Sequence, residues 1–329
     1  MPKSDPIENA LNRLGELRRT ETSASVLQEL RACLGNRSNL VVAKAAKVTA
    51  ELQGRELVPE LVAAFDRFMA NPQQLDKRCA AVTEITGALY QFDYLELEVY
   101  LRGLRHVQKE ASFGPPIDTA AALRGISAQG LARSRYRDAL PAIVPLLVDP
   151  EPPARIGAIR ALATNGGESG VLLLQLKVLT GDRDPEVLGE CFSGLLTAAP
   201  EKSLKFVARY VDDEDDALAE AAIWALGESR LPAAFQVLRE KWERTVSRPE
   251  RKVLLAALAA CRLQESIDFL RALVENGSRQ TAADTLEALA IYRGNETVIR
   301  SIASAVRNRE DNEALESFNA TFGAIEQFN

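Results

Sequence analysis

The chain has 329 residues, of which 47% are apolar, 26% charged and only 6% aromatic, with a formal net charge of −6. That balance excludes a disordered chain, and a pI near 5.2 argues against a general nucleic-acid binder, whose footprint is a basic face. Ala and Leu abound and favour helix, and a single globular core stops growing at roughly 250–300 residues, so the chain is expected to form either two domains or a repeated array.

From the N-terminus, the segment MPKSDPIENALNRLGELRR has no apolar stretch of the leader type, and the longest apolar run, near Val253 to Cys261, is far short of the ~20 residues of a membrane span. A cytoplasmic protein without membrane contact is expected. Ile7, Leu11, Leu14 and Leu17 give an amphipathic helix within an N-terminal cap region, residues 1–34. Residues 35–148 are expected to hold divergent helical hairpins with longer loops. Their first helices fall at 42–52, 79–89 and 120–131, and their second helices at 57–69, 94–107 and 139–148. Asn71-Pro72 and Gly114-Pro115-Pro116 mark loops between them.

Residues 149–309 repeat more regularly. The segment RIGAIRAL, ending at Leu162, recurs in degraded form ending at Leu195, Leu226, Leu258 and Leu289. Three positions before each of these anchors stand Ile159, Phe192, Ile223, Leu255 and Leu286. One position before stand Ala161, Gly194, Ala225, Ala257 and Ala288. Large apolar residues three apart share one helix face, and a small neighbour lets another helix approach closely. Second helices are expected at 171–179, 204–211, 234–242, 267–274 and 298–306. Asp149-Pro150, Asp184-Pro185 and Pro249 open first helices, where proline's missing N–H has no partner to lose. Leu315, Phe318, Phe322 and Ile325 give a C-terminal capping helix in residues 310–329, because an open last face of a stacked array would aggregate.

A repeat of 31–33 residues, two antiparallel helices, an Asp-Pro opening and an A-x-x-A-L first helix resemble the short HEAT repeats, often called PBS-lyase HEAT-like repeats. The resemblance covers residues 150–308 best, and its usual first-helix arginine stands at Arg155 and Arg251 but is replaced by Leu188, Ala219 and Ala282. It implies an all-α fold: a single HEAT-like solenoid over 1–329, a right-handed α-α superhelix of about eight helical hairpins with capping helices, whose second helices line a concave surface.

No catalytic, cofactor or metal residue is assigned. His106 is the only histidine, and no P-loop, G-x-S-x-G elbow or CxxC pair occurs. Cys191 occupies a column that holds Ala, Leu or Thr elsewhere and reads as a buried, reduced thiol. Arg102, Arg105, His106 and Lys109, at relative positions 0, 3, 4 and 7, would share one face of a second helix and meet an acidic partner or a phosphate; Arg133, Arg135 and Arg137 would extend the strip. Trp224 belongs to a column otherwise filled by Arg160, Ser193, Ala256 and Glu287, so it should be partly exposed, as a contact site would require. Trp242 reads as core. The acidic run 212–216 lacks the spacing of a calcium loop and should instead support the next helix's N-terminus. The function expected is a non-catalytic protein-interaction scaffold that needs no cofactor. The family name raises a phycobilin-lyase-like chromophore chaperone as an alternative. A HEAT-like DNA glycosylase ranks lower, because nucleic acid suits the negative charge poorly.

Overall fold

The structure is a computed structural model that describes residues 6–309 and 311–328. Of the two expected caps, residues 1–5, 310 and 329 therefore lie outside the described residues. The described chain is almost wholly helical and forms two compact units, one ending at Leu173 and the other beginning at Leu174.

The first unit opens with α1 (Pro6–Leu17) and α2 (Ala24–Leu34). Ser23 caps α2, its hydroxyl accepting the Val26 N–H, one of the donors a helix start leaves without a partner. Next come α3 (Asn39–Glu51), α4 (Val58–Met69), the single turn α5 (Pro72–Leu75), α6 (Ala80–Gln91) and α7 (Leu97–Arg105). Leu14, Leu30, Val42, Phe65, Phe68 and Ile85 fuse these helices into one buried core. After α7 the chain makes an antiparallel pair of two-residue strands, β1 (Lys109–Glu110) and β2 (Ile117–Asp118). It continues through α8 (Ala121–Arg133), α9 (Ala139–Ile143) with a 3-10 turn to Val148, and α10 (Pro152–Asn165). The next helix, α11 (Gly167–Thr180), spans the boundary between the units.

The expected helices of residues 35–148 match α3, α4, α6, α8 and α9 with its 3-10 turn. The second helix expected over 94–107 and onward is corrected. It starts at Leu97 and stops at Arg105, because His106 turns to extended backbone (φ −76°, ψ 131°) and its carbonyl accepts the Arg124 guanidinium at 2.9 Å.

In the second unit the pairs are α12 (Pro185–Ala198) and α13 (Pro200–Ala208), α14 (Asp216–Ser229) and α15 (Pro232–Arg244), α16 (Arg248–Ala260) and α17 (Gln264–Asn276), and α18 (Arg279–Ala288) and α19 (Glu296–Arg309). Last comes α20 (Asn312–Phe322), which packs on α18 and α19 with Phe318 buried against Phe322 and Phe328. Asp184 caps α12 and Asp215 caps α14 through side-chain bonds to backbone N–H groups. Cys191 is buried as expected, and burial pushes its thiol up to about 12.

All five anchor leucines are fully buried, as are the residues four before them, Ala158, Cys191, Ala222, Leu254 and Thr285. Leu289 differs from the other anchors in opening a 3-10 turn just past α18. The surviving arginines have a common job. Arg155 Nη1 donates to the Asp149 carbonyl at 2.7 Å, and Arg251 Nε donates to the Thr245 carbonyl at 2.6 Å. Each ties a first helix to the turn six residues earlier, occupying carbonyls that would otherwise need water.

The tightest helix approach in the first unit lies between α8 and α10. A methyl group built on Gly157 would stand 2.1 Å from Gly125 Cα, and one built on Gly125 would stand 2.6 Å from the Pro153 carbonyl oxygen. Alanine in place of a helical glycine normally stabilises by about 0.5–1 kcal/mol. Here the backbones must separate, so Gly157→Ala is expected to destabilise by about 1–3 kcal/mol in denaturant unfolding. An increase in stability would contradict the close approach.

Candidate functional site

The residues singled out from sequence fall in three places. Arg102 and Arg105 stand on α7. Arg102 lies over the Phe65 ring at 5.3 Å and pairs with Asp66 at 2.5 Å, so α4 holds it half-buried. Arg105 is exposed, and His106 and Lys109 have left the helix, His106 in the turn and Lys109 on β1. The four-residue helix face expected from the spacing is therefore not formed. His106 Nε2 faces Gln108 Oε1 at 3.1 Å, while Lys109 is exposed.

Arg133, Arg135 and Arg137 do not extend this group. Arg133 sits near the end of α8, stacked 3.9 Å over the Tyr90 ring and paired with Asp93 at 2.7 Å. Arg124, near the start of α8, holds the His106 carbonyl. Nine residues of helix separate the two arginines by ~13 Å, so the Arg133 group belongs to the opposite end of the hairpin from Arg105 and Lys109. Arg135 (φ 58°) and Arg137 are exposed in the turn that follows.

In the second unit Trp224 is 37% exposed, as its column implied, and its indole N–H reaches Glu220 Oε1 at 3.4 Å. Trp242 is half-buried rather than core. Its ring meets Phe269 edge-on at 5.6 Å and carries Arg251 at 4.8 Å, and its indole nitrogen is buried without a hydrogen-bond partner. The acidic run does what its position suggested. Asp215 caps α14, and Asp212 pairs with Lys241 and Arg244. The same run borders a cleft of about 350 Å³ with Glu220, Ile223 and Lys241.

The first unit's turns are organised by a group that the sequence reading passed over. Arg124 is almost fully buried. It bonds Asp149 through two nitrogens, both at 2.9 Å, and Asp118 at 2.8 Å. Burial opposes its charge, but the two carboxylates outweigh burial and raise its pKa. Asp118 Oδ1 accepts the N–H groups of Gln108 and Ala120, anchoring both strands of the β-hairpin to the start of α8. The Gln108 side chain, fully buried, donates to the Asp76 carbonyl at 2.8 Å and to Glu110 at 2.7 Å. Desolvation works to raise the Glu110 and Asp118 pKa values. Hydrogen bonds win in both, from Gln108, the Arg78 N–H and Thr119 on Glu110, and from two backbone N–H groups and Arg124 on Asp118, so both carboxyls lie below the usual range.

A family model described as HEAT repeats matches residues 173–259. That segment is a HEAT-repeat array. Two solved structures are similar at low identity. One is the complex of CpcE and CpcF of phycocyanin lyase from Nostoc sp. PCC7120 (14% identical, TM-score 0.39, covering 74% of this chain and 94% of that one). The other is an engineered protein (18% identical, TM-score 0.34, covering 99% and 97%). No curated protein matches the chain.

The spacing of arginine and anchor leucine offers a signal for Arg124 in hindsight. It stands seven positions before Leu131, as Arg155 stands before Leu162 and Arg251 before Leu258. The longer, hairpin-bearing loop around it hides that alignment. His106, the chain's one imidazole, faces the Gln108 side chain rather than a hydroxyl or thiol. Burial pushes the thiols of Cys79 up to about 12 and Cys261 up to about 11. Among the described residues no three His, Cys, Asp or Glu side chains stand close enough to hold a metal ion, and no helix is long and apolar enough to cross a membrane.

Removing Arg124 leaves two buried carboxylates facing each other, so Arg124→Met should cost about 3–5 kcal/mol in unfolding experiments. Arg124→Lys, which keeps the charge but not the fork, should fall between that variant and wild type. A loss under about 1 kcal/mol for Arg124→Met would contradict the assigned role. Asp118 and Glu110 have lowered folded-state pKa values. Their contribution is complete above the unfolded value of about 4 and is lost as pH falls through the lower folded values. The unfolding midpoint should therefore drop as pH is lowered below about 4, and the drop should be smaller in Asp118→Asn.

Proposed function

We propose that this chain is a non-catalytic scaffold that holds a protein partner against the exposed face of its second helices. The observation that carries this reading is α11. It buries Leu174 and Val178 on one side while Leu172, Leu176 and Leu179 stand 60%, 55% and 67% exposed on the other. Spacing of four and three residues puts these leucines in a row along one helical face. Scattered surface leucines are ordinary, but a row of three on one helix is an anchor pattern of the kind a partner's apolar face covers. The half-exposed Arg102, held on α7 by Asp66 and Phe65, supports the same reading for second helices of the first unit. Repeats that bury their apolar columns in stacking leave such faces available without any special residue.

The test is affinity capture from native lysate with wild type and with Leu172→Glu/Leu176→Glu, followed by mass spectrometry and an absorbance scan of the eluate. Because both leucines are exposed, the variant should keep its stability to within about 0.5 kcal/mol. The expected result is a protein recovered by wild type and lost by the variant. Equal recovery by both would remove the partner from α11. A pigment or nucleic acid in the eluate, with no protein, would overturn the scaffold in favour of a chromophore chaperone or a DNA enzyme.

A further inference from the structure

The turns of the first unit form an edge distinct from the second-helix face. Hydrogen bonds tie three successive hairpins together there. Asn39 Nδ2 donates to Asp76 Oδ1 at 3.0 Å and to the Lys77 carbonyl at 2.9 Å, which brings Leu40 beside Lys77. Gln108 reaches the Asp76 carbonyl, and Glu110 Oε1 accepts the Arg78 N–H at 2.6 Å, which brings Val107 and Lys109 beside the same turn. Strand pairing sets Ile117 opposite Glu110 and Asp118 opposite Lys109. Arg78 and Cys79 both take left-handed backbone (φ 64° and 50°), a conformation residues other than glycine rarely adopt.

Two properties of this edge belong together. Leu40, Leu75, Val107 and Ile117 are exposed, and Phe113 at the hairpin tip is fully so. Lys77, Arg78, Arg105 and Lys109 are exposed as well, and of these side chains Lys77 acts on a carboxylate of this edge, its charge helping to lower the Glu110 pKa. The carboxylates of the same turns are turned inward. Asp76 caps α6 through the Ala81 and Val82 N–H groups, Glu110 takes Gln108 and Thr119, and Asp118 and Asp149 share Arg124. These turns thus engage their carboxylates in hydrogen bonds and leave cations and aliphatic side chains exposed, on a chain whose overall charge is −6.

We infer that this edge, centred on Lys77, Val107, Lys109 and Ile117, docks an acidic segment of a partner protein in which carboxylates alternate with apolar side chains. The exposed cations complement the carboxylates, and the exposed aliphatic residues take the apolar positions between them. Nucleic acid fits less well, since aliphatic side chains give bases no stacking platform. An anionic membrane fits less well too, since the cations are interspersed rather than clustered and the rest of the chain is acidic.

The probe is a fluorescein-labelled peptide of four Glu-Leu-Asp repeats, followed by anisotropy at low salt against the full chain. It should bind, weaken steadily as sodium chloride rises, and bind about five- to tenfold more weakly to Lys77→Gln/Lys109→Gln. Val107→Ser/Ile117→Ser should weaken binding while leaving the salt dependence in place. Circular dichroism melts verify that these variants, all at exposed positions, remain folded. Leu172→Glu/Leu176→Glu should bind the peptide as wild type does, which separates this edge from the α11 face. The inference is overturned by any of three results. The first is no binding. The second is equal binding of a Lys-Leu-Lys repeat peptide. The third is binding to phosphatidylserine vesicles but not to the acidic peptide.

Discussion

Close approach between first helices is the constraint on which the rest of this structure depends. Every regular repeat keeps a large apolar anchor, a large apolar residue three before it and a small residue between, and the anchors are fully buried. Where the approach is tightest, between α8 and α10, even one methyl group has no room. Helices held this closely bury their facing sides, so the remaining faces of each hairpin become surface. Those faces include the leucine row of α11 and the exposed cations of the first unit's turns.

Of the first unit's departures from the regular pattern, the β-hairpin before α8 is held by a buried charge network. Arg124 has the same register position as Arg155 and Arg251, and like them it grips the backbone of an incoming turn. It also takes two carboxylates, which lets a β-hairpin be inserted before α8 without leaving buried polar groups unpartnered. The hairpin in turn presents Val107, Lys109, Phe113 and Ile117 to solvent. A structural arginine thereby determines the surface chemistry of an edge that it does not itself reach.

Much of this was legible in the sequence, and the illegible part has definite causes. Anchor leucines 31–33 residues apart were sufficient to place the helices from α10 to α19, because the apolar columns are dictated by stacking alone. The exposure of Trp224 could be read from the polar company of its column. The strip of Arg102, Arg105, His106 and Lys109 could not be read, since spacing describes a face only while the helix lasts, and α7 ends at a carbonyl captured by an arginine eighteen residues later. Gln108 looks like a surface residue in sequence and is fully buried in the fold. The segment 171–179 is so uniformly apolar that its periodicity does not tell which leucines face the core, and three of them face water.

The central claim is that this chain acts by holding a protein on surfaces that stacking leaves open. Hydrogen–deuterium exchange, comparing the chain alone with its complex with the captured protein, tests it most directly. The account predicts slowed exchange confined to the exposed surfaces, α11 above all, with the buried first helices unchanged. Protection that spares α11 and appears instead around the buried anchor leucines would contradict it, since it would mean that the partner acts by tightening the fold rather than by occupying its open faces.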